Sequence, residues 1–176
     1  REMRGDVSQG DVETRVDVKV DAYLPSDYVH DERQRMEMYK RISSLRTDID
    51  REDIEEEMID RYGDLPAPVE TLLDIAQMRA LAQRLGVSQV LYRPKGQLMM
   101  RLDQRYMPDL QLMMQAMVDT DSRLSITPSQ PVSMVLKDPT HLESGMLTEG
   151  LKVLKQLVAH LDQLLAAQTL ETKQKA

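Results

Sequence analysis

The segment from Thr47 to Asp64 constrains the fold more than any other part of the chain. It holds nine acidic residues against two arginines, so its formal charge of −7 equals the net charge of all 176 residues. Ile54, Met58 and Tyr62 recur at helical spacing and predict one buried helix face. The opposite face is predicted to carry four carboxylates: Asp53, Glu56, Glu57 and Asp60. We therefore expect a helix, capped by Asp50, that packs along one side and exposes acids on the other.

The residues that follow mark the end of this helix. Gly63 is expected just past the helix end, where a left-handed backbone suits glycine. Arg61 is expected to pair with nearby acids, and Tyr62 to close the core at the helix end. Pro66 and Pro68 flank the start of a long helix, whose broad apolar stripe makes it the candidate for the central buried helix.

The spacing of apolar residues predicts strands and helices in the rest of the chain. In order, these are a strand over 14–20, a helix over 31–45, the acidic helix, the helix that ends before Gly86, strands over 89–93 and 97–102, a helix opened by Pro108, strands over 123–127 and 132–136, and a Leu-rich last helix from Thr148 to about Gln168. The first helix is expected to turn four residues inward: Met36, Tyr39, Ile42 and Leu45. This order predicts an α+β fold, with helices packed on a small, mostly antiparallel sheet.

The composition is that of a globular protein, with 41% hydrophobic and 30% charged residues. Phe and Trp are absent and 13 Met are present, so we expect an aliphatic, Met-rich core. The lack of Cys fits a cytoplasmic location. No apolar run approaches the ~20 residues that a membrane span needs, so we expect no membrane contact.

The chain is expected to divide into three parts. Residues 1–11 are interpreted as a linker remnant, residues 12–168 as a single domain, and residues 169–176 as a polar, frayed tail. The first residue is Arg rather than Met, so we expect a piece of a longer protein.

The sequence carries no recognisable catalytic pattern. The glycines are scattered and no Gly-Lys-Ser/Thr occurs, which argues against a phosphate-binding loop. His30, His141 and His160 lack the spacing of a zinc site. An acidic chain also suits duplex DNA poorly, because phosphates select basic surfaces. We therefore predict no catalytic residue, no metal ligand, no cofactor and no direct binding of nucleic acid.

The acidic helix face has two interpretations: a solvated surface, or a docking surface for a basic partner. Three other classes of function stay open. They are a stand-alone interaction module using the acidic helix or the Leu-rich last helix, a hydrolase using the acid cluster, and an accessory DNA-binding domain. The leucine stripe covers only about three heptads, which favours packing within one chain, and we expect a monomer.

Several consecutive motifs resemble one protein family. They are Leu24–Val29, Asp31–Arg33, Tyr39–Ile42, Glu57–Pro66 and Leu72–Ala76. Together they are similar to the C-terminal domain of the bacterial transcription-repair coupling factors (Mfd). The resemblance runs from about Val16 to Gly86, and Arg61, Tyr62, Gly63 and Pro66 form its structural motif.

This resemblance implies a regulatory domain without catalytic residues or a cofactor of its own. The parent would be a translocase on double-stranded DNA, with ATP and Mg in its motor domains, that contacts RNA polymerase and recruits UvrA for nucleotide excision repair. The domain would dock on the N-terminal UvrB-like module of the same protein and mask its UvrA-binding surface. We expect Glu57 and Asp60, with Asp53 and Glu56, to make the docking contact.

Overall fold

The computed structural model describes residues 12–106, 109–140 and 143–176, and it confirms the α+β class. In chain order, the elements of these residues are β1 (Arg15–Asp17), α1 (Glu32–Ser43), α2 (Asp48–Tyr62), α3 (Ala67–Arg84), β2 (Val87–Arg93), β3 (Gln97–Leu102), α4 (Leu110–Thr120), β4 (Leu124–Thr127), β5 (Ser133–Lys137) and α5 (Glu143–Lys175). No helix among the described residues combines the length and apolar character that crossing a membrane requires.

The five strands form one sheet in the order β1-β2-β3-β5-β4. Only β1 and β2 run parallel, so the predicted, mostly antiparallel sheet is confirmed. The strands predicted over 89–93 and 97–102 form a hairpin: Arg93 pairs with Gln97 across a turn in which Lys95 and Gly96 have positive φ angles. β1 is shorter than the predicted strand over 14–20, although side chains 14–20 keep the alternation of burial.

The chain divides into two compact units, and the boundary falls within α3. One unit runs from Lys19 to Ala80, and the other contains β1 and the chain from Leu81 onward. The core of the second unit is rich in methionine, as expected, with four of these side chains almost fully buried: Met100, Met113, Met134 and Met146. The single domain over 12–168 stays a prediction.

In the unit from Lys19 to Ala80, the predicted inward face of α1 is only partly confirmed: Ile42 and Leu45 are buried as expected. Met38 and Ile42 are buried, whereas Met36 and Tyr39 are 58% and 36% exposed, so the inward assignment of Met36 and Tyr39 is wrong. One physical reason is that the Tyr39 hydroxyl accepts a hydrogen bond from the Leu24 N–H at 2.8 Å, which holds the ring at the rim of the core.

The last helix is longer than predicted at both ends. Thr148 lies inside α5 rather than capping it, and the helix reaches Lys175, so the frayed tail from residue 169 is wrong. No Gly or Pro interrupts residues 151–175, and Lys173 and Lys175 suit the negative end of the helix dipole. Its predicted leucine stripe is largely buried in the core: Leu151, Leu154, Leu157 and Leu161. Leucine exposure begins at Leu165 and Leu170.

Helix α4 begins at Leu110 with Asp109 as its N-cap residue, whose carboxylate accepts the Gln111 N–H at 2.9 Å. The predicted opening residue, Pro108, lies outside the described residues.

Candidate protein-docking site

Helix α2 begins one turn before the predicted cap. Thr47 is the N-cap residue, and its hydroxyl accepts the Asp50 N–H at 3.1 Å. The Asp50 carboxylate accepts the N–H groups of Thr47 and Arg46 at 3.0 and 2.9 Å, which completes a capping box and lowers the pKa of Asp50. Asp50 is therefore the third helical residue and not the cap, because its carboxylate reaches back to the N–H groups before the helix.

The inner face of α2 combines apolar burial with one inward arginine. Ile54 and Met58 are buried, as predicted. Arg51 donates to Glu55, Asp74 and Gln77 at 2.7, 2.6 and 2.7 Å. These last two contacts join α2 to α3. Although burial acts to lower it, the pKa of Arg51 is raised by hydrogen bonds to Glu55 and Asp74.

The outer face of α2 carries the exposed acids. Asp53, Glu56 and Asp60 are exposed together as predicted, and Glu52 joins them although it was not among the predicted docking residues. None of these four forms an ion pair with another described residue. Among the described residues, no three carboxylate or histidine side chains converge to hold a metal ion. We call Glu52, Asp53, Glu56 and Asp60 the acidic stripe.

Glu57 differs from its neighbours because two arginines engage its carboxylate. Arg61 donates to it from the same helix at 3.1 Å, and Arg41 of α1 forms a second ion pair. The expected pairing of Arg61 with a nearby acid is thus confirmed. The i, i+4 spacing signalled Arg61, but nothing in the sequence signalled Arg41, because that contact depends on how α1 packs beside α2.

The end of α2 is fixed by aromatic contacts. The rings of Tyr62 and Tyr28 meet edge to face with centroids 5.7 Å apart. The Tyr62 hydroxyl donates to Gln34 at 3.0 Å, and the Arg61 guanidinium lies 5.1 Å from the Tyr62 ring centroid. Tyr62 packs against the core of this unit, which confirms its predicted role at the helix end.

The turn from α2 to α3 is held by backbone groups. Gly63 ends α2 with φ +89° and donates its N–H to the Ile59 carbonyl at 2.9 Å. The Pro66 carbonyl accepts the Val69 and Glu70 N–H groups at 2.9 and 3.1 Å, which starts α3. Gly63 and Pro66 are therefore structural residues, as predicted.

The chain matches the family model described as "TRCF domain" over residues 18–113, more than half of its length. This chain belongs to the TRCF domain family. Its match covers the whole unit that contains α1 and α2 and extends through β3 into α4.

Curated relatives of this TRCF domain are transcription-repair-coupling factors. The chain is 43% identical to that of Escherichia coli over 84 residues, which is 48% of this chain and 7% of the relative. It is 31% identical to that of Staphylococcus aureus strain USA300 over 125 residues, or 71% of this chain and 10% of the relative. The aligned part thus spans about a tenth or less of these relatives.

A solved structure supports the same fold for this TRCF domain. The crystal structure of the C-terminal domain of transcription-repair coupling factor superposes with a TM-score of 0.74 at 23% identity. The match covers 86% of this chain and 95% of the solved one, so the architecture extends beyond the residues of the family model.

The hydroxyl of Tyr28 should contribute measurably to the stability of this TRCF domain. It donates to the Gly63 carbonyl at 2.8 Å, and burial, with Asp64 and Tyr62, raises the pKa of Tyr28. We expect Tyr28→Phe to lower the free energy of unfolding by about 1 kcal/mol, because the carbonyl loses its donor. Urea unfolding would measure this. Tyr23→Phe is the matched control, since Tyr23 is 49% exposed, and an equal loss in both variants would contradict the assignment.

Proposed function

We propose that this chain is the non-catalytic regulatory C-terminal domain of a transcription-repair coupling factor. It docks through the acidic stripe on a basic surface of the N-terminal UvrB-like module of the same protein. The docked domain masks the UvrA-binding surface of that module until the parent engages RNA polymerase. In this proposal, ATP, Mg and double-stranded DNA belong to other parts of the parent.

The observation that carries the proposal is the unpaired state of the acidic stripe. Glu52 and Glu56, and likewise Glu56 and Asp60, lie one helical turn apart as like-charged neighbours. Each such pair destabilises a helix by roughly 0.2–0.5 kcal/mol. A surface that opposes the stability of its own helix is more readily explained by a cationic partner than by folding. Arginines that stabilise the fold, such as Arg51, already form ion pairs with other carboxylates of this chain.

The ion pairs of Glu57 change the role that we assign to it. Its carboxylate is shared between Arg41 and Arg61, so a further basic group would have to compete with both. We propose that Glu57 positions the end of α2, while Asp53, Glu56 and Asp60 face the partner. Asp60 keeps its expected role in docking. Without Glu57, the proposed docking contact lies closer to the start of the helix, at Asp53 and Glu56.

Weak contacts are sufficient for such a regulatory domain. Exposed charge pairs contribute roughly 0.2–1 kcal/mol each and weaken with salt. A covalent tether to the parent raises the effective concentration of the domain to the mM range, so low intrinsic affinity still gives docking. Release then requires only a modest competing free energy.

Charge reversal of the stripe should weaken docking. We expect the triple variant Asp53→Lys, Glu56→Lys, Asp60→Lys to bind the separate UvrB-like module about tenfold more weakly at low salt, because three rim pairs are lost. Isothermal titration of the 176-residue chain into the module would measure this. The unmodified chain should also reduce capture of UvrA by the module, and the triple variant should not.

The matched control is the triple variant Glu37→Lys, Glu70→Lys, Glu171→Lys. These side chains are exposed, form no ion pair within the described part of the chain, and give the same net charge after reversal. An equal loss of affinity in both triple variants would show that only net charge matters. Unchanged affinity in the stripe variant would assign docking to another surface.

A further inference from the structure

Strand alternation gathers cationic and hydroxyl side chains on one face of the sheet. The register places Gln89, Arg101, Ser133 and Thr127 in a single row across β2, β3, β5 and β4. The neighbouring row of the opposite face contains Val90, Met100 and Met134, which are buried in the core. The net charge of −7 gives no sign of these cationic side chains in the sheet, because the excess of acids lies in α2.

A cleft of about 470 Å³ opens along this polar row. Arg93 and Arg101 line it from β2 and β3, Thr127 and Ser133 line it from β4 and β5, and Ser129 comes from the connecting loop. Two of the lining residues are buried: Ser133 is 2% exposed and Met99 is 5% exposed. Both therefore lie at the bottom of the cleft. No carboxylate is among the described residues that line it.

The donors of this cleft are available to a ligand. Arg93 forms no ion pair among the described residues, and Arg101 donates a hydrogen bond to the neutral Gln89 at 3.0 Å. The hydroxyls of Ser129 and Ser133 both donate to the Pro131 carbonyl at 3.3 Å, which is longer than the usual range for such bonds. The exposed Ser129 hydroxyl can rotate toward an incoming acceptor at little cost.

This pairing state sets Arg93 and Arg101 apart from most arginines of the chain. Seven others form ion pairs with acids: Arg15, Arg41, Arg51, Arg61, Arg84, Arg105 and Arg123. Two guanidinium groups without carboxylates that line one cleft create a positive potential in an otherwise acidic protein.

We propose that this cleft binds the phosphate group of a ligand. Guanidinium groups match the geometry of phosphate oxygens, and a tetrahedral phosphate can accept hydrogen bonds from several directions at once. A planar carboxylate would engage fewer of the donors contributed by four strands and a loop. The volume of about 470 Å³ has room for a ligand that carries its phosphate on a larger group.

The phosphate can belong to a free nucleotide or to a nucleic-acid backbone. The described cleft contains no aromatic side chain on which a base could stack, so recognition rests on the phosphate. This site lies in a different unit from the acidic stripe, and variants therefore test the two proposals separately.

The test is an NMR titration of the 176-residue chain at low salt with adenosine monophosphate, and in parallel with a short DNA duplex. We expect the amide signals of residues 97–101 and 129–133 to shift together. Arg93→Gln should weaken binding about fivefold, and Arg101→Lys about threefold, because the planar fork is lost while the charge stays. Arg93 is exposed and unpaired among described residues, so its replacement leaves the fold intact.

Arg33→Gln is the matched control, since Arg33 is an exposed arginine of α1 and its loss removes the same charge. Equal weakening by Arg33→Gln and Arg93→Gln would overturn the proposal, as would signals that shift elsewhere or not at all. Acetate that binds as tightly as adenosine monophosphate would overturn the choice of phosphate. Tighter binding of the duplex, with a steep salt dependence, would identify nucleic acid as the source, and tighter binding of adenosine monophosphate would identify a nucleotide.

Discussion

Gly96→Ala is expected to lower the stability of this chain strongly, and more than the equivalent substitution Gly63→Ala. Gly96 has φ +69°, and a Cβ atom there would lie 2.6 Å from the Asp138 carbonyl carbon and 2.6 Å from the Pro139 Cα, with the Asp138 oxygen closer still. The obstructing atoms are backbone, and Asp138 also donates its N–H to the Gly96 carbonyl at 2.7 Å. We expect the free energy of unfolding to fall by roughly 3–5 kcal/mol, because the hairpin and the end of β5 must separate.

Gly63→Ala is the matched control for this prediction. Gly63 also has a positive φ, +89°, but a Cβ atom there would meet nothing within 4 Å. We expect a smaller loss of roughly 1–3 kcal/mol, which reflects only the backbone conformation of Gly63 (φ +89°, ψ −168°), a region that is essentially restricted to glycine. Hydrogen exchange should locate each effect, because the two units need not unfold together. Equal losses in the two variants would contradict the close contact at Gly96.

Arg123→Met is expected to have the second largest effect. The Arg123 guanidinium donates to Asp121 at 3.0 and 2.8 Å and to Glu149 at 2.6 Å, and it also pairs with Asp138. The Asp138 side chain is only 7% exposed. Removing the cation leaves three carboxylates close together, so we expect a loss of about 2–3 kcal/mol, below the range for fully buried pairs because Arg123 is one-third exposed.

The effect of Arg123→Met should depend on pH. Hydrogen bonds from Arg123 lower the pKa of Asp121, and burial opposes this shift. A carboxyl with a lowered folded pKa stabilises the fold above its unfolded pKa of about 4. The difference between the unmodified chain and the variant should therefore be complete at neutral pH. It should shrink as the pH falls from about 4 through the lower folded value, as urea unfolding at several pH values would show.

Arg105→Met is the internal control for Arg123→Met. Arg105 donates hydrogen bonds of 3.2 and 2.9 Å to Asp103, which lies two residues before it, as Asp121 lies two residues before Arg123. Arg105 is largely exposed and, among the described residues, pairs with no second acid. We expect little change in stability. A loss at Arg105 that matches the loss at Arg123 would show that the local turn matters, and not the contacts to Asp138 and Glu149.

Much of the fold could be predicted from periodicity. The acidic helix and the leucine-rich last helix followed from spacing along the chain, because apolar side chains repeat with the period of the element that buries them. The ends of elements were less predictable. Thr47 and Asp50 both suit a cap, and the choice depends on which side chain reaches back to the preceding N–H groups.

The acidic stripe was only partly predictable. The sequence placed Asp53, Glu56 and Asp60 on one face, because residues three, four and seven apart share a helix side. It could not show that Glu57 meets Arg41, since that contact depends on the packing of two helices. It likewise missed the exposure of Met36, because the inward face of α1 is set by its neighbours.

The sequence by itself determined the elements, the concentration of charge in α2 and the Met-rich character of the core. These follow from residues that are close along the chain, where backbone geometry fixes which side chains share a face. Only the tertiary structure decided which acids stay unpaired, that Arg93 and Arg101 line one cleft, and that Asp138 touches both Gly96 and Arg123. Those contacts join residues far apart in sequence, and sheet register and helix packing bring them together.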